Sequence, residues 1–259
     1  MALERQTSLA PAGLSRCSEV RRLLRPRGAW WIALLAVLLS ACRSPIGTER
    51  ASVRQTYRQI HANAVSASRP SRETQIVLRR FDQESVFAEE PAAALRSLHR
   101  KAEEHTERSL LFALAELSYL AGERALRHPP PPGSLEARDY HLAAAVYAYL
   151  FLLGEAAEPV PDAFDPRFRI ASDLYSCGLG RALAGWDDDP ARVAVGGGRR
   201  RLPVGQIDLE VIEPPPPWDR THWHRLLLAD QFTVRGFSVR NRQPGLGTPL
   251  VAVGRPAGE

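Results

Sequence analysis

The stretch Ser109-Leu110-Leu111-Phe112-Ala113-Leu114-Ala115-Glu116-Leu117-Ser118-Tyr119-Leu120-Ala121-Gly122-Glu123-Arg124-Ala125-Leu126 decides the fold class. Leu110, Leu111, Leu114, Leu117, Ala121 and Ala125 recur at helical spacing and form one apolar stripe, while Glu116, Glu123 and Arg124 fall elsewhere. The pattern predicts an amphipathic helix that needs partners. Downstream, the four prolines 129–132 make a stiff, extended connector to a second helix over Leu135 to Leu153. From Leu142 to Leu153 that helix is apolar without interruption, which predicts burial on all sides. Asp165 as N-cap and Pro166 at the first helical position open a third helix carrying Ile170, Leu174, Cys177 and Leu183, ending near Gly185.

Upstream, Val53, Tyr57, Ile60, Ala64 and Val65 give helical spacing across Thr48 to Val65, and Ser68-Arg69-Pro70-Ser71 breaks it. Thr74 to Phe81, and Pro91 to Glu104 with its initial proline, predict two shorter helices. Aligning Gly122-Glu123 with Gly154-Glu155 matches Ala113 with Ala145, Leu114 with Val146 and Leu120 with Leu152. The offset is near the period of tetratricopeptide arrays, so the two strong helices could form a hairpin of that kind, although two alanine-rich helices also match by chance.

Composition changes at Asp187-Asp188-Asp189-Pro190. Gln206 to Ile212 and Phe232 to Val239 alternate like strands, and Leu250 to Val253 could be a third. The fold class expected is therefore mainly α: a helical domain over residues 51–186 and a small β-rich segment over 187–259.

The 259 residues carry a net charge of +5, which by itself suits a nucleic-acid binder. Residues 1–41 hold six arginines and two glutamates and thus +4 of that charge. Once this leader is set aside, nothing remains to support nucleic-acid binding. Three cysteines, at 17, 42 and 177, make no disulfide framework.

The leader itself is informative. Arg21, Arg22, Arg25 and Arg27 precede the uncharged run Ala29 to Leu39, which is too short to span a bilayer. Charged flank, apolar core and small residues form a secretory signal. Moreover, Leu39-Ser40-Ala41-Cys42 resembles the bacterial lipobox. That resemblance implies that residues 1–41 are a signal peptide, that Cys42 receives a diacylglycerol, and that residues 42–50 tether the protein to a membrane. Arg43, rather than an aspartate, follows the cysteine, which implies the outer membrane facing the periplasm where a cell has two membranes. The long lead before the flank fits initiation at Val20 as well as at Met1.

Further along, Leu111 to Ser118, Tyr140 to Tyr149, Phe164-Asp165-Pro166-Arg167, Ser172-Asp173-Leu174-Tyr175, Val239-Arg240-Asn241-Arg242 and Gly245-Leu246-Gly247-Thr248-Pro249-Leu250-Val251-Ala252 carry a second resemblance. The chain is similar to the amino-terminal, non-catalytic region of bacterial lipoproteins with a downstream α/β-hydrolase domain of esterase or lipase type. In that family the catalytic half follows the last of these segments, and here the sequence runs on only to Glu259. Such a hydrolase requires a G-x-S-x-G elbow. The nearest approach, Gly13-Leu14-Ser15-Arg16-Cys17, lacks the final glycine and lies in the leader. No catalytic residue is therefore assigned, and the expected function is that of an accessory part, with a separately encoded hydrolase domain as one partner. The competing reading is a helical-repeat adaptor of the cell envelope.

Other motifs have simpler readings. His222-Trp223-His224 lacks a third ligand at recognisable spacing for zinc, and Trp218 and Trp223 read as packing beneath a proline turn. Asp187 to Asp189 lack the glycine and glutamate of a calcium loop and read as a solvated helix end. Gly196-Gly197-Gly198-Arg199-Arg200-Arg201 has no phosphate-loop frame and reads as a hairpin tip. Cys177 reads as a small hydrophobe on an apolar face. Neither a cofactor nor a metal is expected.

Overall fold

The structure is a computed structural model and describes residues 50–105, 107–155, 159–185, 193, 196–212, 223–229 and 245–254. Among these, eight helices precede two small antiparallel sheets. The helices are α1 (Val53–Ile60), α2 (Ala64–Ala67), α3 (Arg72–Arg80), α4 (Glu84–Glu89), α5 (Pro91–Glu104), α6 (Arg108–Arg127), α7 (Ala137–Leu153) and α8 (Pro166–Leu183). The strands are β1 (Gly198–Leu202), β2 (Gly205–Leu209), β3 (Trp223–Leu228) and β4 (Leu250–Gly254). The protein is mainly helical with a small β-rich carboxyl-terminal part, as the sequence pattern predicts.

At the centre lie α6, α7 and α8, packed as antiparallel neighbours. The start of α6 meets the end of α7, where the Phe112 and Phe151 rings stand 5.4 Å apart, and its end meets the start of α7 through Glu123 and His141. Likewise Arg167, at the start of α8, lies over the Phe151 ring at 5.3 Å, while Gly178 faces His141 and Ala145. Helix α6 is buried along Leu110 to Gly122 without a break, so the expected solvent face is absent there. Helices α3 and α5 cover it with Val77, Leu78, Leu95 and Leu98. Conversely, α7 is not enclosed on all sides: Tyr149, Leu150 and Leu153 are 47%, 37% and 50% exposed. A continuous apolar run does not distinguish a central helix from one with an uncovered face.

Near the amino terminus, the single helix expected over Thr48 to Val65 is two. Asn63 intervenes, and its side chain accepts from the N–H groups of Val65 and Ser66 while Ser66 Oγ accepts from the Asn63 N–H, a capping box that starts α2 afresh. Ser71 caps α3, and α4 is a helix the periodicity did not predict, with no buried side chain to mark it.

Strands β1 and β2 form a hairpin in which Gly198 pairs with Leu209 and Leu202 with Gly205. Gly196 to Arg201 is therefore largely strand rather than tip, the turn being Pro203-Val204 with Gly205 at φ 135°. Leu202 and Val204 pack against the helical core, and Arg201 donates to the carbonyls of Gly133 and Ser134 at 2.9 Å each. In the second sheet β3 pairs with β4, Leu228 opposite Leu250, with an irregularity between Trp223 and Arg225. Trp223 thus belongs to a strand, and the proline turn beneath which it was expected to pack lies outside the described residues. The strand expected over Phe232 to Val239 and the helix end at Asp187 to Asp189 lie outside the described residues.

Candidate functional site

The residues assigned from sequence, Leu39, Ser40, Ala41 and Cys42, lie outside the described residues, as do Trp218 and His222. What the described residues present is a set of buried polar groups in the helical body, each missed from sequence.

Three helices converge on His141. Its ring, 1% exposed, lies with Nε2 3.2 Å from Glu123 Oε1, and the same oxygen accepts from Arg181 at 2.7 Å. Tyr119 completes the cluster, its ring edge-on to His141 at 5.2 Å and under the Arg181 guanidinium at 5.6 Å. Two glycines make the space: a Cβ at Gly122 would stand 2.6 Å from His141 Nε2, and one at Gly178 would stand 2.8 Å from the His141 carbonyl oxygen.

The charges follow from this geometry. Burial holds the His141 imidazole below its ordinary pKa and outweighs the Glu123 hydrogen bond, so the neutral ring donates its Nε2–H to the carboxylate. The His141 donor, aided by Arg181, in turn lowers Glu123. Burial pushes the Tyr119 phenol up to about 12. His141 and Tyr119 are buried and Glu123 and Arg181 reach partly into solvent, and these groups bind one another. The arrangement clamps three helices together.

A second node is Glu116, read from sequence as lying off the apolar stripe and in fact fully buried. Its carboxylate accepts from the Ala64 N–H at 2.9 Å, from the Ser71 N–H at 3.0 Å and from Ser71 Oγ at 2.7 Å. It thereby holds the starts of α2 and α3 against α6. Burial raises its pKa despite those donors, with a further hydrogen bond to Thr74 acting downward. A third is Arg108, 3% exposed, whose guanidinium donates to the carbonyls of Pro159 at 2.7 Å and Gly154 at 2.8 Å and to those of Leu150 and Phe151. Carbonyls at a helix end lack intrahelical donors; Arg108 supplies one to Phe151 and a second to Leu150, which also accepts from the Gly154 N–H.

One cavity of about 360 Å³ opens beside α5, α6 and the proline connector, lined by Pro91, Ala121, Arg124, Pro130, Leu135 and Tyr140 among others. Arg124 is engaged with the Ala88 carbonyl at 2.6 Å, and burial raises the Tyr140 phenol, keeping it a donor. No carboxylate, imidazole or thiol lines it, so it has room for an apolar group but no acid–base pair.

Of the segments behind the hydrolase-lipoprotein resemblance, Gly245 to Leu250 rests on α8. Thr248 Oγ1 donates to the Ser176 carbonyl, the Gly247 N–H donates to Ser176 Oγ at 3.3 Å, and Gly180 leaves room for the Thr248 side chain. Asp165 caps α8 as expected, accepting from the Arg167 N–H at 2.8 Å. Cys177 is half-buried, in no disulfide, and packed against the core. Among the described residues no group of His, Cys, Asp and Glu is placed to hold a metal, and no helix is long and apolar enough to cross a membrane. The chain matches no family model, no curated protein and no solved structure.

Proposed function

We propose that this is a lipid-anchored protein of the bacterial cell envelope, held through a diacylglycerol on Cys42 and positioned on the outer membrane facing the periplasm. The observation that carries the reading is Leu39-Ser40-Ala41-Cys42 directly after an arginine-flanked apolar run. Its helical body is the accessory, non-catalytic part of an esterase- or lipase-like hydrolase lipoprotein. Two things support that role: the buried polar groups of the body pair with one another, and the Gly245–Leu250 segment, which in that family leads to the catalytic domain, has a defined seat on α8. The G-x-S-x-G elbow is not encoded within these 259 residues, so any hydrolase partner is a separate domain.

Replacing Cys42 by serine tests the anchor. The wild type is expected in the membrane fraction and Cys42→Ser in the soluble one; a variant that sediments with the wild type would sink the reading. Purified mature protein is expected to leave short-chain p-nitrophenyl esters untouched, and turnover blocked by a serine-directed inhibitor would overturn the accessory role.

One observation favours the adaptor reading as the second: Tyr149, Leu150 and Leu153 on α7, with Phe164 at 95% exposure just before α8, present apolar surface to solvent.

A further inference from the structure

The cavity beside α5, α6 and the proline connector, about 360 Å³, has the size of a small-molecule pocket rather than of a buried water. At about 30 Å³ for each water-sized group it takes on the order of ten non-hydrogen atoms. Its walls are the short side chains of Pro91, Ala121, Ala125 and Pro130, with Leu135 and the Tyr140 ring. The outer wall is held in place. The Ser134 N–H donates to the Pro131 carbonyl at 3.1 Å, and Gly133 at φ 86° turns the chain there. Arg201, from β1, then fixes that turn through the Gly133 and Ser134 carbonyls. Segments distant in sequence thus build one apolar recess.

Two polar groups specify what it takes. Arg124 is the one charged residue in its lining and stands in no ion pair among the described residues. Its Nη1 donates to the Ala88 carbonyl at 2.6 Å, which orients the guanidinium and leaves the Nε–Nη2 edge, two parallel N–H groups that match a carboxylate. The Tyr140 hydroxyl makes no hydrogen bond to a described residue, and burial raises its pKa, so it remains a donor. The acidic groups near Tyr140 are already engaged: Glu90 pairs with Arg96 at 3.3 Å, and Asp139 accepts from the Glu136 N–H at 2.8 Å. An anionic head on an apolar tail is what this lining complements.

We propose that the cavity binds a medium-chain fatty acid, its carboxylate on Arg124 and Tyr140 and its alkyl chain against Pro91, Ala121, Ala125 and Leu135. Octanoate matches the size. The site holds the acid without transforming it, because no carboxylate, imidazole or thiol lines the cavity. Binding there requires neither the anchor on Cys42 nor a hydrolase partner.

The probe is octanoate, titrated by calorimetry into the full chain in phosphatidylcholine nanodiscs, with empty nanodiscs as the blank. One acid per protein is expected, with affinity rising about fourfold for each methylene from butanoate to octanoate. Octanamide, which keeps the tail and loses the charge, is expected to bind at least about tenfold more weakly, as is octanoate to Arg124→Gln. Tyr140→Phe should weaken octanoate by about fivefold. Ala125→Leu, which fills the recess, should abolish binding while the protein unfolds at the wild-type temperature. Ser134→Phe, on the exposed connector, is a second plug that leaves the helices untouched, and the same loss is expected. No saturable binding overturns the proposal, as does affinity that ignores chain length or survives both plugs and Arg124→Gln. Octanamide binding as tightly as octanoate removes the carboxylate from the site and overturns it too. A peptide with a free leucine carboxyl terminus that binds more tightly than octanoate, and is lost in the same variants, gives the cavity to a protein terminus, and the proposal is wrong.

Discussion

Single residues set the closest approaches in the helical body, and glycine is the most sensitive of them. His141 fits between α6 and α8 because Gly122 and Gly178 have no Cβ to contest the space. Gly122→Ala is expected to destabilise by about 1–3 kcal/mol, measured by urea denaturation, although alanine is the better helix former. At an exposed helical position the same substitution would stabilise, so a gain at Gly122 would contradict the packing. Protonation acts at the same point. His141 has a depressed pKa in the fold, so its contribution is present above the unfolded value of 6.5 and is lost as pH falls below it. Glu116, with a raised pKa, works in the opposite sense, favouring the fold as pH falls through its titration. The wild-type profile mixes both; hence the difference from His141→Gln is the informative quantity. From neutral to mildly acidic pH, the wild type should lose more thermal stability than His141→Gln does. None of these groups was legible in the sequence, because Glu116 and Glu123 look like ordinary solvent-facing charges until α2, α3 and α7 are placed against them.

Between elements, the ties are as much polar as apolar. Arg108 joins the first residue of α6 to the last turn of α7 and the chain beyond it, through four carbonyls. Charge-assisted bonds of this kind exceed neutral ones, and buried carbonyls left without a donor carry a desolvation cost. Arg108→Met, which keeps much of the volume, is expected to destabilise by about 2–4 kcal/mol and to speed amide exchange near residues 150–155 first. Equal acceleration over the whole of α7 would show that Arg108 does no more than fill space. Helix existence was legible throughout this region: α5, α6 and α8 follow from their period of apolar residues and α7 from its long apolar run, and Pro91 and Asp165-Pro166 mark two starts within a residue of the observed ones. Exposure was not. Leu142 to Leu153 is uniformly apolar, yet which side α6 and α8 cover, and which leaves Tyr149 and Leu153 in solvent, depends on tertiary placement alone. The β1–β2 hairpin shows the same limit, since the glycine and arginine run reads as a turn by composition while Arg201 pairs with Gln206 in a strand and its side chain is fixed to the carbonyls of Gly133 and Ser134.

Across the described residues, stability should be unevenly distributed. The α6–α8 unit carries fully buried Phe112, Leu114, Leu117, Phe151 and Leu174, whereas β3 and β4 form a two-stranded sheet with Leu250 and Val251 largely or partly exposed. A two-stranded hairpin is marginal by itself, so β4 depends on what holds the segment before it. That segment is fixed to α8 by Thr248 and Gly247 on Ser176, four residues from Gly180 and beside the half-buried Cys177. Thr248→Val keeps the shape and removes the donor to the Ser176 carbonyl. Amides of residues 250–254 are then expected to exchange at least about fivefold faster, the loss of about 1 kcal/mol, with the thermal midpoint of the helical body unchanged. A drop in that midpoint would mean that the two parts unfold as one. An unchanged midpoint with faster exchange would mean that the helical body folds on its own terms and that the Gly245–Leu250 seat on α8 serves to position β4.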